Sequence, residues 1–153
     1  MLGKKIVARY KDGSIQKGYT SNFNPDKDFF HLSLIDEATE LPTGEIVEVN
    51  VSILKAVFFV KSFKGDKEYI KVRTFDKSPA GPPSQRRIIL IFKDGENFYG
   101  STLSYSPRRS GFFVFPIDNQ DNSESVFVPQ GALEKVHIKK FGSEEFDIYL
   151  YEN

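Results

Sequence analysis

The chain has no cysteine, which excludes disulfides, thiolate nucleophiles and Cys-ligated zinc, and makes a reducing cytoplasm the expected compartment. It has only two histidines, His31 and His137, so a general base or imidazole metal site has almost nothing to be built from. An excess of one charge is missing too. With 21 basic and 21 acidic residues, no net field steers the chain to nucleic acid or to an anionic membrane. No apolar run approaches a membrane span; Ala56–Val60 is strand-sized. The first five residues run straight into a strand pattern without the apolar region of a signal peptide. Neither GxSxG nor a phosphate-loop motif is present. These absences together predict a non-enzymatic protein with no cofactor, no metal and no membrane.

What is present is a core. Hydrophobic residues make up 39% of the 153 and aromatics 14%, which a disordered chain would not carry. The length suits one ordinary domain or two very small ones, and an internal repeat decides between them. Lys5–Asp36 lies over Arg87–Asp118 at a constant offset of 82, with identities at Ile6/Ile88, Lys11/Lys93, Asp12/Asp94, Gly13/Gly95, Gly18/Gly100, Thr20/Thr102, Pro25/Pro107, Phe30/Phe112, Ile35/Ile117 and Asp36/Asp118. The offset then falls to 79, and Val47–Lys61 lies over Val126–Lys140. Two units are too few for a solenoid, so a tandem pair of small domains is expected: residues 1–76, a Pro/Gly linker at 77–85, and residues 86–153.

Each unit reads as strands. Ile6, Ala8 and Tyr10 alternate with Val7 and Arg9, and Ile88–Phe92 is a wholly apolar run of strand length. Asp12-Gly13 and Asp94-Gly95 supply hairpin turns. The second strands, Ile15–Phe23 and Phe98–Tyr105, carry Gly18 and Gly100 in their interiors, the mark of a bend or a close backbone approach. Pro25 and Pro107 set the next turns. Third strands are expected at Phe29–Ile35 and Phe112–Ile117, fourth at Ile46–Val51 and Ser125–Val128, fifth at Ala56–Lys61 and Val136–Lys140. Further alternating pieces follow at Glu68–Phe75 and Glu144–Tyr151, and single helical turns fit Val51–Leu54 and Gln130–Leu133. The fold class is therefore all-β, as two SH3-like or Sm-like barrels of about five strands each.

The pattern hydrophobic-Lys-Asp-Gly-x-x-x-x-Gly, followed by an aromatic, a turn and Phe-x-Leu-x-Leu, resembles the first half of the Sm motif, and "VFVPQGALEKVHI" resembles the second half in spacing. "KGYTSNF", "LKAVFFVKSFKGD" and "GFFVFPID" are similar to an uncharacterised bacterial domain that occurs in pairs, often in proteins connected with signalling. These resemblances imply the barrel scaffold and a bacterial regulatory setting. They do not bring the Sm RNA site. The loops Asn24–Asp28 and Ser106–Ser110 lack its Asp…Asn pattern, and the turns Asn50–Ser52 and Pro129–Gly131 lack its Arg.

Candidate contacts are the equivalent turns, Asn24, Asp26 and Lys27 in one unit and Arg108 and Arg109 in the other, because barrels recognise partners with loops. Arg108 and Arg109, with Arg86 and Arg87 and with Tyr105 or Phe112 for stacking, also make the alternative reading, RNA or a cyclic dinucleotide. The paired Arg86-Arg87 faintly resembles the arginine motif of PilZ domains, whose Asp/Asn-x-Ser-x-x-Gly partner is absent. A second half with 8 basic and 10 acidic residues from Gln85 onward argues against general nucleic-acid binding. His31 aligns with Phe113 and His137 with Phe58, so both histidines are expected to pack. The acidic loop Asp118–Glu124 lacks the spacing of a calcium loop. Ile88–Phe92 and Phe112–Ile117, apolar on both sides, must be covered on both sides: by the other barrel, by a second copy in a homodimer, or by a partner protein. Protein binding is thus the leading expectation.

Overall fold

The computed structural model describes residues 2–64, 85–118 and 121–151. These residues form strands β1 (Lys4–Tyr10), β2 (Ile15–Thr20), β3 (Phe29–Ile35), β4 (Pro42–Asn50) and β5 (Leu54–Val60). The second unit supplies β6 (Arg86–Phe92), β7 (Asn97–Thr102), β8 (Gly111–Pro116), β9 (Ser123–Pro129), β10 (Leu133–Lys139) and β11 (Phe146–Leu150). One-turn 3-10 helices at Val51–Ile53 and Gln130–Ala132 precede β5 and β10, where the sequence predicts single turns. The piece Glu68–Phe75 and nearly all of the linker lie outside the described residues.

The all-β expectation holds, but the hydrogen bonding forms one open antiparallel sheet rather than two closed ones. Its order is β11-β10-β6-β7-β8-β9-β5-β1-β2-β3-β4. Within it the first unit has the order β5-β1-β2-β3-β4 and the second repeats it as β10-β6-β7-β8-β9. The join is β5 against β9, with Val57 opposite Phe127 and Phe58 opposite Val126. A boundary that the sequence places in a linker is therefore crossed by a ladder of main-chain hydrogen bonds.

The repeated residues act locally and alike. Gly13 N donates to Tyr10 O at 3.0 Å and Gly95 N to Phe92 O at 2.9 Å. Both glycines have φ of +92°, a value L side chains avoid. Asp12 accepts from Ser14 N at 2.8 Å and Asp94 from Glu96 N at 3.0 Å. At Gly18 a Cβ would lie 2.2 Å from Ser33 O, and at Gly100 2.4 Å from Phe115 O. Each glycine thus lets the third strand press against the second, as its place in mid-strand predicts. The Pro25 turn is closed by Lys27 N to Asn24 O at 3.1 Å, and the Pro107 turn by Arg109 N to Ser106 O at 3.3 Å.

Two main cores result. One gathers Ile6, Ala8, Phe30, Leu32, Val49, Leu54, Val57 and Phe59; the other gathers Ile88, Leu90, Phe92, Phe112, Val114, Val126, Val128, Val136 and Ile138. Each contains a residue from the other unit: Phe127 belongs to the first core and Ala56 to the second. Strand alternation explains the exchange. On β5, Val57 and Phe59 face one core while Ala56 faces the other. On β9, Phe127 faces away from Val126 and Val128. The apolar surplus of β8 is covered this way, since Phe113 packs on the first core. The outer residues of β6, Ile89 and Ile91, are half-buried and, among the described residues, join neither cluster.

Candidate functional site

The seam between the units is built in three parts. Its centre is aromatic: Phe23, on the loop after β2, packs edge-on to Phe30, Phe59, Phe127 and Phe113 at centroid distances of 5.2–6.1 Å, a geometry that adds to simple area burial. One flank is polar. Lys55 of β5, 8% exposed, reaches Asp94 at 2.6 Å and Glu96 at 2.8 Å on the β6–β7 hairpin and lies 4.8 Å over the Phe92 ring. Burial pushes the Asp94 carboxyl up, but the Lys55 hydrogen bond, the Glu96 N–H and the Lys55 and Arg9 charges outweigh it and hold the group below the ordinary carboxylate range. The other flank is Asn122, whose side chain accepts from Ser62 N at 3.1 Å and donates to Ser62 O at 2.9 Å. The acidic loop is thus a clamp on the end of β5. Among the described residues no group of three His, Asp or Glu is placed to hold a metal. A cleft of about 50 Å³ beside Arg9, Phe58, Glu96 and Tyr99 is far smaller than the roughly 300–1,000 Å³ of a small-molecule site.

In the first unit no described strand covers the face equivalent to this seam. The pair Phe113 and Phe127, opposite each other in the second unit, is replaced at the repeat-equivalent positions by His31 and Glu48, also opposite each other. Gly111, over which the Phe127 ring lies so closely that a Cβ would be 2.4 Å away, is replaced by Phe29, 48% exposed. Ile46 on β4 is 65% exposed and shares this face, opposite Ser33. His31 is therefore not a packed ring, contrary to the expectation from its alignment with Phe113: its side chain is 56% exposed because nothing among the described strands pairs beyond β4. Asn22 Nδ2 donates to its Nδ1 at 2.8 Å and Asn22 Oδ1 accepts from its backbone N–H at 3.0 Å, which leaves Nε2 facing Glu48 at 3.9 Å. His137, by contrast, is half-buried between Ile89 and Ile148 of the flanking strands.

The residues singled out from sequence do not converge on one pocket. Arg86 donates from Nε to Lys139 O at 2.8 Å and stacks 4.3 Å from the Phe141 ring, so it ties β6 to β10. Arg87, opposite Ser101, is also engaged. Tyr105 is the repeat equivalent of Phe23 and packs as Phe23 does, against Phe112 and Tyr149 at 5.0 and 5.2 Å, with its hydroxyl bonded to that of Tyr151; burial raises both phenols. Arg108 and Arg109 stand on the exposed turn, Arg109 touching Ser104 Oγ at 3.4 Å, and Gln130 pins that turn through Ser106 O at 2.9 Å. In the other turn Asn24 is spent on Asp26 N at 2.9 Å, while Asp26 and Lys27 remain exposed. The functional features that sequence reading missed are Lys55 and the His31–Glu48 face.

A duplicated all-β chain in which one face of the repeated strand order is covered in one copy and, among the described residues, exposed in the other is the class that fold and site define. The chain belongs to the family of unknown function DUF6982, whose model matches residues 2–140. No curated protein and no solved structure matches it.

Proposed function

We propose that the chain is a non-enzymatic protein-binding module, built from two fused Sm-like or SH3-like units and working in a regulatory or signalling pathway of the bacterial cytoplasm. The doubled strand order, the glycine-bent second strand and the 3-10 turn before the fifth strand support the scaffold reading. One observation carries the functional reading. The β8–β9 face of the second unit buries itself against another unit of the same chain, and the β3–β4 face of the first unit, made by equivalent positions, presents Phe29 and Ile46 to solvent, with β4 the last of the described strands in the sheet. Exposed apolar side chains beside a strand edge that no described strand pairs favour addition of a partner strand.

The test is a photo-crosslinking amino acid at Ile46, with the same substitution at the exposed turn residue Arg108 as the comparison, used in extract of the source cell. A discrete protein crosslinked from Ile46 is the expected result. Crosslinks to RNA, or to protein from Arg108 alone, would replace this reading with one centred on the arginine turn.

A further inference from the structure

Beyond the β3–β4 face and independently of it, we infer that the edge of β10 is a second strand-binding site, closed at rest by β11, and that it takes an extended segment of a partner protein carrying an aromatic residue where Tyr149 lies. The register carries the inference. In the seam, β9 lies antiparallel on β5 with Phe127 opposite Val57, Val126 opposite Phe58 and Ser125 opposite Phe59. At the repeat-equivalent edge, β11 lies antiparallel on β10 with Tyr149 opposite Val136, Ile148 opposite His137 and Asp147 opposite Ile138. Val136, His137 and Ile138 are the counterparts of Val57, Phe58 and Phe59, so β11 is in step with β9 residue for residue. The packing matches too. The Phe127 ring lies 5.2 Å from Phe23, and the Tyr149 ring lies 5.2 Å from Tyr105, the counterpart of Phe23. β11 thus imitates a neighbouring unit's strand on an edge built to receive one.

The imitation is the looser fit. Phe127 is 1% exposed and Tyr149 36%, and Ile148 and Leu150 are exposed where Val126 and Val128 are buried. Asp147 puts a carboxylate opposite the buried Ile138, where β9 has a serine. What favours β11 is its tether: Lys140–Glu145 joins it to β10, with Lys140 N donating to Glu145 O at 2.8 Å, and a strand on so short a connection is present at an effective concentration on the order of millimolar. A free segment displaces it only by fitting better, with an aromatic opposite Val136 and an uncharged residue two positions earlier, opposite Ile138, both on one face of the strand. Among the described strands a second copy of this chain does not supply that segment. β9 is spent in the seam, and β4 has Glu48 where β9 has Phe127, a carboxylate that the Tyr105 ring would cover without a cation to answer it.

The experiment uses the whole chain and a fluorescein-labelled peptide with the sequence of Ser123–Pro129. Because the chain has no cysteine, His137→Cys/Ile148→Cys places a single pair at facing positions of β10 and β11, within the span a disulfide bridges, so one protein is measured with β11 locked or free. Anisotropy should show the peptide binding the reduced form and not the oxidised one. Tyr149→Ser, which loosens β11 and leaves β10 as it is, should raise the affinity over wild type by roughly tenfold, the worth of one aromatic contact, and a peptide carrying Phe127→Ser should not bind. Amide exchange should quicken in β11 on binding and stay slow in β9, which separates this site from displacement of the seam strand. Equal binding by the locked and free forms, no binding by the Tyr149→Ser variant, or exchange that quickens in β9 instead would each overturn the inference and leave the β3–β4 reading standing; no crosslink from Ile46 would overturn that reading and leave this one.

Discussion

The two units are the same device with different neighbours. In the second unit, Phe113 and Phe127 sit under Phe23 and Phe59 of the first. In the first, His31 and Glu48 occupy the same register and face water. The opposite edges differ as well. The outer edge of β5 takes β9, whereas the outer edge of β10, its repeat equivalent, takes β11. Accordingly Phe23 meets the seam aromatics, and its counterpart Tyr105 meets Tyr149 and Tyr151 of the terminal hairpin. Inside each unit the duplicated residues have kept their jobs, and divergence is concentrated where a unit meets something else. A repeat thus shows by its identities what the fold requires, and by its differences what each copy touches.

The largest way to break the comparison is Phe127→Ala. Phe127 is 1% exposed in the first core, so urea unfolding should show a loss of about 3–5 kcal/mol, whereas Glu48→Ala at the equivalent position should stay within about 0.5 kcal/mol. Next come Gly18→Ala and Gly100→Ala. Each drives a methyl into a carbonyl of the third strand, and overpacking of this kind costs about 1–3 kcal/mol; similar losses in thermal unfolding would confirm that the glycines are equivalent.

Lys55→Met sharpens the comparison at the polar flank. It strips two half-exposed carboxylates of their cation, and about 1–2 kcal/mol should be lost at neutral pH. Because the Asp94 carboxyl is held below its ordinary range in the folded state, its contribution is fully present above the unfolded carboxylate value and disappears as pH falls through the folded one. The gap between wild type and Lys55→Met should therefore narrow in acid, as read from unfolding midpoints between neutral pH and about pH 3. Tyr105→Phe removes only the hydroxyl bonded to Tyr151 and should cost about 1 kcal/mol. The smallest effect belongs to Arg109→Ala, within about 0.5 kcal/mol, since its side chain makes one weak contact on an exposed turn.

Much of the architecture was legible before the coordinates. Asp-Gly, the mid-strand glycines and the Pro turns are short-range signals whose steric reasons operate within a few residues, and Phe29–Ile35 falls on the residues expected for its strand. Strand ends moved where a loop residue pairs for reasons outside its own segment: β4 begins at Pro42 because the β3–β4 hairpin carries its pairing to Ile35. The seam was not legible. Pairing of β5 with β9 is a long-range choice that no local pattern encodes, and Lys55 looks like any strand lysine until the Asp94 hairpin lies beside it. The difference between His31 and Phe113 was visible in the alignment, but a histidine over a phenylalanine reads as a packing exchange unless it is known which copy is covered. The arginines misled for a related reason: Arg86 is spent on Lys139 and Phe141, neighbours that only the fold supplies.

The exchange of Phe127 and Ala56 between cores has a consequence for how the chain comes into being. Seventy residues separate Val57 from Phe127, so a ribosome adding about 5–20 residues per second finishes β5 roughly 4–14 s before its partner strand exists. Throughout that interval the first unit has its hairpins but lacks a ring in its interior, and β5 presents a bare apolar edge. Maturation of the amino-terminal half therefore waits on synthesis of the carboxy-terminal half, and a stalled or truncated chain is the species that chaperones and proteases would meet.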